Sequence, residues 1–180
     1  MSESVYTINE NGNKVWRNFK GELHRVDGPA VEFANGDKWW YFNGQCHRTD
    51  GPAIEHTNGY KAWYIHDKCH RTDGPAIQWA DDKKEWFVNG QRHRMGGPAI
   101  EHVNGTKAWY INNQLHRTDG PAIERADGTK EWYFNDKRHR TGGPAIERAN
   151  GNKEYWYKGK QIAEEVFHSD EFQVRMVMEL

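Results

Sequence analysis

Histidine, arginine and tryptophan recur along this sequence at a constant interval, which raises the question of what repeated imidazole, guanidinium and indole groups could do. The His-Arg pairs begin at His24, His47, His70, His93, His116 and His139, each 23 residues after the last. Repeated histidines could hold zinc, but zinc needs about four ligands within roughly 2.3 Å of one point, and residues one repeat apart are spaced too widely. We therefore predict no metal site and no cofactor, and we expect the histidines to bond turn backbone or stack on aromatic rings.

The arginine after each histidine could bind an anion, because a guanidinium donates paired hydrogen bonds to phosphate or carboxylate. The alternative is that each arginine is neutralised within the protein by an aspartate two residues later or by a nearby glutamate. Gly96 and Gly142 replace that aspartate in two copies. Arg94 and Arg140 are therefore the candidate anion-binding residues.

Two aromatic positions follow each other in every repeat and would point to opposite faces of a strand. We expect the first, tryptophan, to pack with the repeated isoleucines in the core, because burying large apolar surface is favourable. The second position is the better candidate for partner contacts, because tyrosine combines a rigid ring with a polar tip. Its candidate members are Tyr64, Phe87, Tyr110 and Tyr133.

One central copy differs from its neighbours. The copies on either side share the string PAIEH-x-NG-x-KAWYI, which contains His56 and His102, whereas the copy between them has Trp79 and Glu85. One explanation is duplication of a two-repeat block followed by divergence. The other is that Trp79 and Met95, flanked by His56 and His102, form a patch that a partner recognises.

Enzymatic activity is not expected. Catalysis normally requires a unique, asymmetric set of side chains, and nearly every polar residue in this chain is repeated. There is no nucleophile with a base outside the repeated positions, and no glycine-rich phosphate loop followed by a helix. Near the C-terminus, His168, Ser169 and Asp170 are merely adjacent in sequence.

The elements that must position these residues are strands. All six prolines lie at the same place in the repeat, each between glycine and alanine. In one copy, residues 52–56 alternate in polarity, Asn58-Gly59 is a two-residue hairpin signal, and residues 61–65 form an aromatic return strand. The sequence therefore predicts an all-β fold, an elongated tandem array of β-hairpins that forms a curved sheet or solenoid.

The array has partial copies at its ends. We assign residues 1–23 to an N-terminal partial repeat, residues 24–161 to six repeats that continue into a half-unit, and residues 162–180 to an acidic helical cap. Ser169 is predicted to N-cap a short helix. Its apolar stripe would comprise Phe172, Met176, Val177 and Leu180. Such a cap closes the apolar end that a repeat array otherwise exposes.

Composition narrows the classes of partner. The net charge is −1 and the charges are interspersed, so neither nucleic acid nor an anionic membrane is expected as a partner. No apolar run approaches the roughly 18 residues of a membrane span, and the N-terminus lacks signal-peptide features. Cys46 and Cys69 occupy equivalent repeat positions and do not suggest a disulfide framework. These features predict a cytoplasmic protein with free thiols.

The 23-residue period, the glycine-punctuated hairpins and the aromatic columns resemble MORN repeats and the related YwqK-type repeats over residues 11–161. The string HRTDGPAIE joined to NG-x-K-x-WY-x-N is more specifically similar to repeat proteins of tailed phages and large DNA viruses. The resemblance implies a hairpin array and, for a viral protein, a place in the host cytoplasm.

Three functions are compatible with these features. The first, which we favour, is a scaffold that binds another protein, such as a host factor, through an aromatic or charged face. The second is a protein that sequesters a small anionic ligand, such as a nucleotide signal of host defence, between the arginine and aromatic columns. The third, implied by the MORN resemblance, is a membrane-associated module. Unpaired sheet edges also raise the hypothesis of a homo-oligomer.

Overall fold

The computed structural model describes residues 4–178 and confirms an all-β tandem hairpin array with a short C-terminal helical cap. The chain divides into two compact units, one ending at Arg92 and the other beginning at His93. In each unit, most strands are only two residues long and alternate between a central antiparallel sheet and separate small hairpins. Each repeat therefore contributes two strands to the central sheet and one small hairpin beside it.

The first unit contains fourteen strands among its described residues. They are β1 (Val5–Ile8), β2 (Lys14–Arg17), β3 (Val31–Glu32), β4 (Lys38–Trp39), β5 (Tyr41–Phe42), β6 (Gln45–Cys46), β7 (Ile54–Glu55), β8 (Lys61–Ala62), β9 (Tyr64–Ile65), β10 (Lys68–Cys69), β11 (Ile77–Gln78), β12 (Lys84–Glu85), β13 (Phe87–Val88) and β14 (Gln91–Arg92). Its central sheet has the order β1-β2-β3-β4-β7-β8-β11-β12, and the other strands pair as hairpins β5-β6, β9-β10 and β13-β14.

The second unit repeats this plan and ends in two helices. Its elements are β15 (Ile100–Glu101), β16 (Lys107–Ala108), β17 (Tyr110–Ile111), β18 (Gln114–Leu115), β19 (Ile123–Glu124), β20 (Lys130–Glu131), β21 (Tyr133–Phe134), β22 (Lys137–Arg138), β23 (Ile146–Glu147), β24 (Lys153–Tyr157), β25 (Lys160–Ile162), α1 (Glu164–Phe167) and α2 (Asp170–Met178). The central sheet has the order β15-β16-β19-β20-β23-β24-β25, beside the hairpins β17-β18 and β21-β22.

The pairing register gives each central sheet two chemically different faces, because residues directly opposite each other in antiparallel strands share a face. In the first unit one face carries Val31, Trp39, Ile54, Ala62, Ile77 and Glu85. The other face carries Lys14, Glu32, Lys38, Glu55, Lys61, Gln78 and Lys84. Lysine and glutamate alternate on this polar face as far as Gln78, and an opposed pair of opposite charge, such as Lys14 with Glu32 at 3.6 Å, contributes about 0.2–1 kcal/mol.

The buried core consists largely of small side chains. The alanine that follows each repeated proline is fully buried at Ala30, Ala53, Ala76, Ala99, Ala122 and Ala145. Its carbonyl accepts a backbone N–H from a tryptophan, as Ala53 does from Trp40 at 2.8 Å. This close backbone approach requires a small residue, because a larger side chain would overpack the site.

The tryptophans are less buried than we expected. Trp40, Trp63, Trp109 and Trp132 are only half-buried, and so are the isoleucines Ile54, Ile77 and Ile123. Other members of the isoleucine column, Ile100 and Ile146, are buried. Burial with isoleucine is therefore only part of what holds these indole rings.

The two turns of each repeat differ from the predicted arrangement. The Asn58-Gly59 turn is a three-residue loop, since the His56 N–H donates to the Tyr60 carbonyl and Gly59 adopts a φ of +96°. The two-residue turns occur in the small hairpins, where Asn89 and Gly90 have φ values of +51° and +80°. Positive φ at both positions is the type I′ geometry, which matches the twist of the flanking strands.

The two C-terminal helices pack on strand β24, and the apolar cluster between them consists of Tyr155, Tyr157, Phe167, Phe172 and Met176. The predicted N-cap is confirmed, because the Ser169 Oγ accepts the Phe172 N–H at 3.3 Å. Val177 was predicted for the apolar stripe but is exposed, and Leu180 lies outside the described residues. The stripe is narrower than the sequence suggested, since only one side of a two-turn helix meets the sheet.

Substitution of Asn89 tests the type I′ turn. We expect Asn89→Val to lower the free energy of unfolding by about 1–2 kcal/mol, because a branched side chain disfavours the left-handed conformation. Urea denaturation followed by tryptophan fluorescence measures the effect, and Asn89→Gly is the control that should be tolerated. Equal loss in both variants would show that the side chain of Asn89, rather than its backbone conformation, is what matters.

Candidate functional site

Each arginine of the His-Arg pairs closes its turn through a recurring set of contacts, which we call the arginine clamp. The Arg48 Cζ lies 4.0 Å from the centroid of the Trp40 ring, and Nη1 donates to the Pro52 carbonyl at 3.1 Å. Nε donates to Asp50 at 2.9 Å and Nη1 donates to Glu55 at 2.9 Å. Comparable arginine-on-tryptophan stacks occur at Arg25, Arg71, Arg117 and Arg140. The internal neutralisation of the arginines is thereby confirmed.

The two candidate anion-binding arginines keep part of this arrangement. Arg94 and Arg140 donate to Glu101 and Glu147 at 2.8 and 2.6 Å, although Gly96 and Gly142 supply no turn carboxylate. Their side chains are 32% and 28% exposed, against 20–22% for the clamp arginines that have a turn aspartate. They are more accessible than the other clamp arginines, but each still has a carboxylate partner.

The histidines support the small hairpins, as expected. The Nδ1 of His70 accepts the Asn89 N–H and the Nδ1 of His139 accepts the Lys158 N–H, both at 3.1 Å. The His139 ring also packs 5.0 Å from Tyr157. Burial, with a smaller contribution from Lys158, lowers the pKa of His139. Among residues 4–178, no three His, Cys, Asp or Glu side chains are grouped to hold a metal ion.

A continuous row of ring contacts crosses three consecutive repeats of the first unit. It consists of Phe33, Trp39, His56, Tyr60 and Trp79, which we call the aromatic strip. Successive ring centroids lie 4.9, 6.3, 5.1 and 5.2 Å apart. The row includes Trp79, which is 40% exposed. The repeat thus brings together aromatic groups that lie far apart in the sequence.

The strip joins two of the predicted patch residues. His56 and Trp79 both contact Tyr60, which the sequence reasoning missed because it occupies a variable position of the repeat, filled by Thr106 and Thr129 in later copies. The other two patch residues, Met95 and His102, belong to the second unit. A search for aromatic residues at the variable positions would have identified Tyr60.

Most polar atoms beside the strip have a hydrogen-bond or ion-pair partner. The His56 Nδ1 lies 3.1 Å from a carboxylate oxygen of Asp37, whose pKa is lowered mainly by the Thr57 backbone N–H. The Trp39 Nε1 is buried and has no hydrogen-bond partner among the described residues. Nearby, burial raises the pKa of Tyr64 to about 12. Tyr64 is therefore a neutral, half-buried support at neutral pH.

The remaining members of the predicted tyrosine column have different surroundings. Phe87 lies beneath the Arg92 guanidinium at 5.2 Å. The Tyr133 hydroxyl donates to Glu131 at 3.0 Å and accepts from Arg138 at 3.1 Å, and Tyr110 is half-buried. The column is therefore not one uniform contact surface.

Buried acids explain the alternation between neighbouring copies. Glu85 and Glu131 are 2% and 5% exposed at the position that Ala62 and Ala108 occupy in the copies that precede them. The paired hairpin position is Cys69 or Leu115 in the alanine copies, and Arg92 or Arg138 in the glutamate copies. An apolar pair in one copy is thus replaced by an ion pair in the next.

The contacts of Glu85 show how the buried charge is satisfied. Glu85 accepts from Lys83 at 2.8 Å, from Arg92 at 3.1 Å and from the Trp79 indole N–H at 3.1 Å. Burial acts to raise the pKa of Glu85, but the hydrogen bond and charge of Lys83 and the charge of Arg92 outweigh it and lower the pKa. The carboxylate is therefore ionised in the folded protein and ties Trp79 to the sheet.

Grooves lie between consecutive clamp turns in both units. In the first unit, one of about 560 Å³ includes Pro29 and Trp40, and one of about 420 Å³ includes Pro52 and Trp63. In the second unit, a groove of about 570 Å³ includes Trp109. The walls of each are the Arg-x-Asp or Arg-x-Gly turns, so one groove geometry recurs with the repeat.

Comparison with known proteins adds no further assignment. No family model matches the chain, and no curated protein matches its sequence. Within residues 4–178, none of the helices has the length and apolar character needed to cross a bilayer. The geometry of the strip, the clamps and the grooves is therefore the basis for assigning a function.

The histidine support predicts a pH-dependent stability. Because the folded-state pKa of His139 is lowered, the unfolded chain binds a proton first, so acidification from about pH 7.5 to about pH 5.5 should lower the free energy of unfolding. In His139→Gln the loss should be smaller, since glutamine accepts the same N–H without titrating. Urea denaturation at both pH values measures this, and equal losses would contradict the assignment.

A double-mutant cycle tests the buried ion pair. We expect Glu85→Ala and Arg92→Leu each to lower the free energy of unfolding by about 1–3 kcal/mol, because each leaves a charged partner with fewer hydrogen bonds. The double variant reproduces the Ala108 and Leu115 pair of the chain's own neighbouring copy and should recover part of the loss, while Lys83 and the Trp79 indole N–H stay without their acceptor. Strictly additive losses would show that the two residues act independently.

Proposed function

We propose that the protein is a non-enzymatic scaffold that binds another protein through the aromatic strip of its first unit. The observation that carries this proposal is the unbroken series of ring contacts from Phe33 to Trp79 across three repeats. Aromatic side chains dominate the binding energy of protein interfaces, because they bury large areas at little cost in conformational entropy.

The support beneath Trp79 favours a binding role. The Glu85 carboxylate fixes the indole nitrogen, and the Tyr60 ring packs against the indole at 5.2 Å. A large ring that is held in place and 40% exposed loses little freedom when a partner covers it. Trp79 is therefore the expected anchor of the interface.

The second unit carries different groups at equivalent positions, which makes the proposed interface specific to the first unit. Thr106 and Arg125 occupy the places of Tyr60 and Trp79, and Arg125 donates to Glu131 at 2.9 Å. The repeat backbone therefore tolerates either chemistry, and the choice of aromatic residues in the first unit is not required by the fold.

A small anionic ligand is the weaker alternative. It would occupy the groove that includes Arg94 and Arg117, where Gly96 removes one acid. Both arginines there still donate to glutamates, at 2.8 and 2.9 Å, so little positive charge is left for a ligand.

We also propose a cytoplasmic site of action, in the host cell if the chain is viral, with a host protein as the partner.

The strip is tested by giving the first unit the residues of the second. The double variant Tyr60→Thr/Trp79→Arg should fold, because the introduced guanidinium is placed to pair with Glu85 as Arg125 does with Glu131. Capture from lysate with quantitative mass spectrometry should identify proteins that the variant retains at least about tenfold less than the wild type, as expected for loss of an aromatic anchor. Titration of a purified partner then confirms direct binding.

Val103→Thr is the matched control, because it removes an exposed apolar side chain outside the strip. It should leave capture unchanged. If the strip variant captures the same proteins in the same amounts as the wild type, the strip is not the interface.

A further inference from the structure

A second surface of the first unit has the features of a peptide-binding site. We propose that the grooves between its clamp turns bind a basic, proline-rich segment of another protein in the polyproline II conformation. The two grooves are called here the upstream groove, which includes Trp40, and the downstream groove, which includes Trp63. This surface uses none of the residues of the aromatic strip, so the inference goes beyond the function proposed above.

The two grooves share a wall and have similar linings, in which Val26 and Phe42 of the upstream groove correspond to Thr49 and Ile65 of the downstream groove. The turn that contains Arg48 and Asp50 borders both of them. A repeated proline and a half-buried tryptophan lie in each, which gives a mixed apolar and polar surface suited to proline rings. At about 560 and 420 Å³, the grooves fall within the size range of small-ligand pockets, roughly 300–1,000 Å³.

The spacing of the grooves selects the conformation of the ligand. Successive grooves are one repeat apart, and one repeat adds two strands to the sheet, or about 9.6 Å at about 4.8 Å per strand. A polyproline II helix has three residues per turn and rises about 3.1 Å per residue, so every third residue returns to the same side after about 9.3 Å. An extended β-strand returns to the same side after about 6.7 Å and does not match.

The rim of the grooves selects the charge of the ligand. Asp27, Asp50 and Asp73 are 83%, 80% and 78% exposed at the tips of three successive turns. Arg25, Arg48 and Arg71, which pair with these aspartates, are only 20–22% exposed, so the most accessible charges on the turns are carboxylates. The hydrogen bond from Arg48 lowers the pKa of Asp50, which keeps this rim ionised. A lysine or arginine between the prolines of the ligand would complement it.

Two synthetic peptides separate conformation from charge. A fluorescein-labelled peptide with four copies of Pro-Pro-Lys should bind the full chain in fluorescence anisotropy titrations. A peptide with four copies of Gly-Ser-Lys has the same charge without the polyproline II preference and should bind at least about tenfold more weakly. A peptide with four copies of Pro-Pro-Glu should not bind. Equal affinity for the two lysine peptides, or no binding of the Pro-Pro-Lys peptide, would overturn the proposal.

The acidic rim is tested with two triple variants. Asp27→Asn/Asp50→Asn/Asp73→Asn should weaken Pro-Pro-Lys binding at least about tenfold, since three ionic contacts are removed. Asp81→Asn/Asp82→Asn/Asp170→Asn removes the same charge outside the grooves and should bind like the wild type. Circular dichroism confirms folding of both variants. Equal weakening in the two variants would indicate only non-specific attraction and would overturn the rim assignment.

The strip variant Tyr60→Thr/Trp79→Arg separates the two binding proposals. It should bind the Pro-Pro-Lys peptide with unchanged affinity while losing the captured partner. Loss of peptide binding in this variant would contradict the assignment of the peptide to the grooves.

Discussion

The packing of an arginine between a tryptophan ring and a turn glycine is the constraint on which the rest of the structure depends. A Cβ atom at Gly51 would lie 2.8 Å from the Arg48 Cζ, so glycine gives the guanidinium its place against Trp40. Stacking of this kind contributes about 0.5–1 kcal/mol at exposed sites and more where water is excluded. The Gly-Pro-Ala string then has a physical explanation. Glycine leaves room for the guanidinium, and the proline carbonyl accepts a hydrogen bond from it. Alanine is small enough for the backbone of the neighbouring strand to approach closely.

This constraint distinguishes the clamp tryptophans from the aromatic residues of the proposed interface. The tryptophans of the clamps hold the turns through their arginine stacks, and their remaining surface lines the grooves. The sheet face beside them tolerates an apolar pair, such as Ala108 with Leu115, or a charged pair, such as Glu85 with Arg92. That tolerance allows one unit to display aromatic rings where the other displays threonine and arginine without a change of fold.

The fixed period made the strands, the internal pairing of arginine and the role of histidine predictable, because each depends on residues close in sequence or one repeat apart. The three-residue loop at Asn58-Gly59 was not, since an Asn-Gly pair suits both turn types and the flanking strand register decides between them. The aromatic strip was only partly foreseen, because Tyr60 lies outside the repeated columns. The partial exposure of the tryptophans was not foreseen, because a pattern of apolar residues does not show that a guanidinium packs on each ring.

The hydrogen bonds of the buried acids have a consequence for how the protein can evolve. Glu85 takes its partners Trp79, Lys83 and Arg92 from within its own 23-residue copy, and Glu131 does the same with Arg125, Tyr133 and Arg138. Recombination that inserts or deletes a whole copy therefore leaves Glu85 and Glu131 with their partners, whereas the buried Asp37 depends on His56 and Thr57 of the next copy. The copies that contain Glu85 and Glu131 are therefore the ones whose insertion or deletion should cost the least in buried charge.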